Sequence, residues 1–221
     1  MHYNPVTALF PTAYLPSVYY MACLSHYDSI AIEVKETFPK QTYRNRAIIA
    51  TGNGLQVLTV PVVRPNGNHT RTDEMGISYQ EPWHIRHWRA IVSAYSAAPY
   101  FLYYRDGLEK ILMQPHPHLV ELNDALLQYL LKKLKINCSI TYTEDYLPVS
   151  STAPSAWGTD SPNPDFRNTL CAKHAQAPFG LTPYSQVFDT RFGFQPNLTV
   201  LDLLFNMGPE SKAYLQKVSC R

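Results

Sequence analysis

Short apolar runs at the start of the chain give way to apolar positions at helical spacing, and that order predicts an α/β fold. Residues 6–10 (Val-Thr-Ala-Leu-Phe) make a β-prone run stopped by Pro11, and residues 29–34 make a second. Between them, Pro16 to Leu24 reads as a helix: proline is tolerated in a first turn, and Tyr20, Met21 and Leu24 share one face. Strand, helix and strand so close together predict a right-handed βαβ unit with parallel strands.

The stretch from Phe38 to Val62 carries the strongest local signal. Two runs, 45–51 and 55–62, flank Asn53-Gly54, a dipeptide that tolerates the positive φ of a tight type I′ turn, so a hairpin is expected. Residues 64–81 are polar, with Asn66, Gly67 and Asn68, and read as an exposed loop. Helical periodicity then predicts helices over 82–95, 99–112 and 118–134, followed by a return strand over 137–142. Residues 148–168 are rich in Ser, Thr and Pro and predict a flexible polar loop whose Trp157 could latch onto a site. Thr199 is a plausible cap for a helix beginning near Leu201, Gly208 ends it, and Pro209 starts another to about Val218. The expected architecture is one α/β domain over residues 1–221. It has a mixed sheet with a βαβ start and a β-hairpin, helices packed on it, and a helical C-terminal segment.

Composition narrows the function classes. The chain has 221 residues, 45% of them apolar, which is enough for a sizeable core. A net charge of +2 offers no electrostatic case for a nucleic-acid partner. No apolar run approaches the roughly 20 residues of a membrane span, and no signal peptide is evident. Cys23, Cys138, Cys171 and Cys220 are scattered, which favours free thiols and a cytoplasmic location. Sixteen tyrosines provide amphipathic rings suited to sugar or protein surfaces as well as to the core.

Candidate chemistry is sparse. Lys40, Arg44, Asn45 and Arg46 gather at the entry of the hairpin, where three cations and an amide on a stiff element suit an anionic or polyhydroxylated ligand; a solvated strand end is the plainer alternative. His84 and His87 lie three apart on a helix, but no third metal ligand stands nearby, so no metal is expected; His87 alone is a candidate base. Asp165 and Arg167 either form a salt bridge that pins the polar loop or complete a pocket with the Arg44–Arg46 cluster. There is no P-loop, no dinucleotide fingerprint and no Gly-x-Ser-x-Gly elbow.

Several segments together resemble the WbqC-like family, a bacterial group associated with O-antigen and other surface-polysaccharide gene clusters. They are Tyr14-Leu-Pro-Ser, Lys40-Gln-Thr-Tyr-Arg-Asn-Arg, Leu58-Thr-Val-Pro, Trp83 with His87, Ala94-Tyr95, Ala98-Pro-Tyr-Phe and Gly193-Phe-x-Pro-Asn-Leu-Thr. A Tyr-Leu-Ser-Gly segment of longer members is missing. The resemblance implies a transferase that places glycine or a related acyl group on an amino sugar. It brings Tyr14, Lys40, Arg44, Asn45, Arg46, His87 and Tyr95 forward as site positions.

Two expectations follow. In the first, the chain is an acyl or aminoacyl transferase acting on a sugar or sugar nucleotide. His87 is then the base, Arg44 and Arg46 hold a phosphate or carboxylate, and Asn45 polarises the acyl oxygen. In the second, it is a non-catalytic glycan-precursor-binding or assembly protein using the same cluster. Neither names a cofactor or an oligomeric state.

Overall fold

The computed structural model describes residues 8–148, 164–168, 170 and 181–220. Strand β1 (Ala8–Pro11), helix α1 (Val18–Leu24) and strand β2 (Ser29–Glu33) form the expected βαβ unit, with β1 and β2 parallel and Ala8 opposite Ile30. Helix α1 begins where Ser17 accepts a hydrogen bond from the Tyr20 amide, and every one of its residues is buried. Strand β3 (Arg46–Thr51) pairs antiparallel with β4 (Gly54–Thr59). The turn falls one residue earlier than Asn53-Gly54 would place a type I′ turn. Thr51 pairs with Gly54, and among residues 51–54 only Gly54 has positive φ.

Residues 64–81 are more ordered than an exposed loop. They hold strand β6 (Gly76–Ile77), paired with β5 (Val62–Val63) just before them, and two 3₁₀ turns, and they bury Thr70, Thr72 and Met75. The Thr72 amide donates to Glu36 O and the Asp73 amide to Val34 O, so the segment docks on the chain that leaves β2. These backbone contacts leave no trace in polarity or turn composition.

Helices α2 (Trp83–Tyr95), α3 (Phe101–Met113) and α4 (Leu119–Leu134) follow, and α4 returns the chain to β7 (Ser139–Tyr142). Strand β7 pairs parallel with β2, giving the sheet order β1-β2-β7. The hairpin was expected in the same sheet as β1 and β2. It stands apart as a two-stranded ribbon because β7 takes the place beside β2. One face of the ribbon (Ala47, Ile49, Leu58) is buried in the core. On the outer edge of β3, Ile48 O accepts from the Thr199 amide.

The short helix α5 (Asp189–Phe192) precedes α6 (Val200–Met207) and α7 (Ser211–Lys217). Thr199 caps α6 as expected, its hydroxyl accepting from the Leu201 amide. Among the described residues no helix is long and apolar enough to cross a membrane. The expectation of a mobile, gating loop falls mostly on residues 149–163, outside the described residues, as does Trp157.

Candidate functional site

Strand β4 ends beside the first turn of α2, and a groove of about 500 Å³ lies between them. Its β4 side is Gln56, Val57, Leu58 and Thr59, continued by Pro61; its helical side is Trp83, Arg86 and His87; Ser78, Gln80 and Glu81 close one end. The polar groups are amides, hydroxyls and one ion pair, Arg86 with Glu81, at the exposed rim. Trp83 supplies a flat apolar wall, and its indole N–H is buried without a partner among the described residues.

His87 is the titratable group at the base of this groove and is only 7% exposed. Tyr14 approaches from the loop after β1, its hydroxyl oxygen 2.9 Å from His87 Nδ1. Leu15 next to it has φ of 44°, a left-handed conformation in a buried residue that precedes proline, and this sharp bend fixes the direction Tyr14 takes. Burial is the main force that lowers the His87 pKa, to about 4; Arg86 and His84 add to the shift, and the Thr59 carbonyl opposes it. The ring is therefore neutral at neutral pH. Burial raises the Tyr14 pKa, so its hydroxyl keeps its proton. With Nδ1 at Tyr14, the tautomer that suits both neighbours carries its proton on Nε2, toward Thr59 O, and accepts from Tyr14.

Of the cations and amide at the ribbon entry, Arg44 and Asn45 go to other work. Arg44 is 3% exposed and its Nε donates to Glu36 Oε1 over 2.7 Å. Burial raises the Glu36 pKa even so, against the pull of Arg44. Asn45 donates its amide to Val60 O at 2.9 Å and ties the first strand to the end of the second. Arg46 is half-buried, with an Nε that has no partner among the described residues. Lys40 is exposed. None of these four lines the groove. Tyr95 lies in the core on the far end of α2, where burial and the nearby Asp202 raise its pKa.

Asp165 and Arg167 meet each other, and they meet the sheet. Residues 164–166 run beside β1, with the Leu9 amide donating to Pro164 O and the Phe166 amide to Leu9 O. Arg167 Nη2 lies 2.6 Å from Asp165 Oδ2, and its Nη1 donates to Glu33 Oε2 at 3.2 Å and to Leu147 O at 2.6 Å. Glu33 is fully buried and also accepts from Thr143 Oγ1, the Lys35 amide and the Leu147 amide. This is the carboxyl end of the parallel sheet, where open α/β folds carry ligands, yet Glu33 and Arg167 are saturated by one another and by backbone. The Arg44–Glu36 pair is near enough for Arg167 and Glu33 to act on Glu36, so the two ion pairs form one buried network.

Of the expected residues, then, Tyr14 and His87 are brought together at the groove. Arg44, Asp165 and Arg167 belong to the carboxyl-end network, and Tyr95 stands apart from both. Among the described residues, no group of His, Cys, Asp and Glu is arranged to hold a metal ion.

The model of the WbqC-like protein family matches residues 12–160, which include every residue lining the groove. The chain belongs to the WbqC-like family. A relative from Mycobacterium tuberculosis, described as uncharacterized protein Rv1507c, is 30% identical over 238 residues, covering 95% of this chain and 96% of its own length. No solved structure matches the chain. The groove of this WbqC-like protein escaped the sequence because much of its lining, Gln56, Thr59, Ser78, Gln80 and Glu81, is ordinary polar residues from β4 and from the segment read as an exposed loop. Trp83 and His87, four positions apart on one helical face, and the Leu58-Thr-Val-Pro segment carried a signal there, but nothing in the sequence joined them into one groove.

Proposed function

We propose that this WbqC-like protein transfers an acyl or aminoacyl group, glycine among them, to the amino group of a sugar or nucleotide-linked sugar during bacterial surface-polysaccharide synthesis in the cytoplasm. The observation that carries this is the neutral His87, set in the base of a sugar-sized groove and oriented by Tyr14. Amides, hydroxyls and an aromatic wall suit a polyhydroxylated acceptor.

As the acceptor nitrogen attacks the carbonyl carbon of an activated donor, an ester or thioester, it takes on positive charge and becomes strongly acidic, so a base of low pKa is adequate provided it is unprotonated. His87 takes that proton, the donor's C–O or C–S bond breaks as the amide forms, and the leaving alcohol or thiol departs with the proton His87 returns. A substrate N–H that takes over the Thr59 carbonyl frees the ring for its other tautomer. Nδ1–H then donates to the Tyr14 hydroxyl, and Nε2 presents a lone pair to the groove.

The test is a thermal-shift panel of nucleotide-linked amino sugars and acyl donors, followed by mass spectrometry of the mixed substrates. Stabilisation by a sugar and by a donor, with an acylated product whose rate falls about 10²–10⁴-fold in His87→Ala, is expected. A product formed at an unchanged rate by that variant overturns the role of His87. One feature favours a second reading, a glycan-precursor-binding or assembly protein: Arg44, an expected anchor, and Asn45, expected to polarise the acyl oxygen, are engaged by Glu36 and Val60. Stabilisation by a glycan with no response to any donor would select it.

A further inference from the structure

The groove runs along a strand edge that no strand covers. Strand β4 pairs only with β3, and among the described residues nothing is paired to its other side. The pairing register says which backbone groups face that side. The Val60 amide donates to Asn45 O, so residues 56, 58 and 60 turn their N–H and C=O toward β3, and alternation turns those of Leu55, Val57 and Thr59 outward. The outward edge of β3 obeys the same rule, since Ile48 O accepts from Thr199. On β4, the Thr59 carbonyl meets His87, while Val57 opens directly into the groove. Val57 and Leu55 are 54% and 58% exposed, an unusual pair of β-branched and aliphatic side chains to leave on an open edge.

We propose that this edge binds an extended amide-bearing chain, a glycyl or short peptidyl group, which adds to β4 as a third strand and places its end against His87. A single glycyl unit offers one N–H and one C=O, the complement of the Val57 backbone, and glycine has no side chain to strike Trp83 on the opposite wall. The edge and the cavity coincide, and the ring that closes the Thr59 end limits how far such a chain can run. This rests on the transfer reading only in identifying the bound chain with the donated group; the pairing itself stands without it. A second copy of the protein joined β4 to β4 is the competing occupant.

The probe is blocked diglycine or triglycine, followed by amide NMR and hydrogen exchange, beside an ester analogue in which the pairing N–H is replaced by oxygen. Binding should slow exchange of the Val57 amide, and the ester should bind about five- to tenfold more weakly. Val57→Pro removes the outward N–H at a position where an edge strand tolerates proline. It should weaken peptide binding by a similar factor, whereas Val57→Thr retains it. Equal binding of amide and ester, an unchanged Val57 exchange rate at saturation, or concentration-dependent dimerisation that protects Val57 without peptide would each overturn the proposal. The ester comparison uses the unaltered protein, so it holds even where Val57→Pro fails to fold. Pairing without any acyl transfer to a sugar would sink the transfer reading alone; transfer without pairing would sink this inference alone.

Discussion

At the scale of residues, the groove depends on one hydrogen bond between two buried rings. Tyr14→Phe removes the partner of His87 Nδ1 and leaves a buried polar atom unsatisfied, at a cost of about 1–3 kcal/mol in urea unfolding. His87 also makes stability depend on pH. Its folded pKa of about 4 lies below the ordinary 6.5, so the unfolded chain takes up the proton first as the solution is acidified. The contribution is complete above about pH 6.5 and is lost as the pH falls toward 4. His87→Gln should flatten that part of the profile. Asp202 acts with the opposite sign. Burial raises its pKa from 3.8 to about 6, against the hydrogen bonds that Tyr184 and Gln186 donate to it. Its folded form holds the proton longer, so the stability it supplies is present below about 3.8 and is lost as the pH rises through 6. Asp202→Asn should remove that loss, which thermal melts between pH 4 and 7 can read.

Among elements, two contacts decide how the helices sit. Gly107 of α3 lies under Tyr129 of α4, so that a Cβ at this position would stand 2.5 Å from the ring, and the Tyr129 hydroxyl is itself held by Tyr104 O. Gly107→Ala should therefore cost about 1–3 kcal/mol, mostly by forcing α3 and α4 apart; Gly107→Ala with Tyr129→Leu should recover part of it. The second contact joins residues 164–168 to the parallel sheet. Arg167→Ala would leave Glu33 charged, fully buried and short of its cation, and a loss of about 3–5 kcal/mol is expected in denaturant unfolding. A loss below about 1 kcal/mol would mean that the Thr143 and backbone donors alone satisfy Glu33.

For the whole molecule, the polar chemistry is divided between two places. The groove on the open edge of β4 has a neutral imidazole and spare backbone groups. The network at the carboxyl end of the sheet has charge, but its ion pairs are closed on one another. Sites need groups left free for a ligand, and by that standard the groove is the better candidate of the two. Much of the frame was visible in the sequence. The helical periodicity of 82–134 and the cap at Thr199 are local effects, settled by spacing and by a hydroxyl two residues from the amide it serves. The hairpin was equally local, though its turn was displaced by one residue because only Gly54 takes positive φ.

What the sequence by itself determined was thus the identity and order of the main strands and helices, though not of the short elements within 64–81 or of α5, together with the family, since motifs and periodicity are properties of neighbours along the chain. Tertiary structure alone decided that β7 and not the ribbon lies beside β2, which left β4 with an open edge. It also decided that Arg44 is spent on Glu36 and Arg167 on Glu33, and that Tyr14 reaches His87 from 73 positions away. The physical reason is the same in each case. A charge or a strand edge is defined by what covers it, and the covering groups here come from parts of the chain whose composition gives no sign of where they will dock.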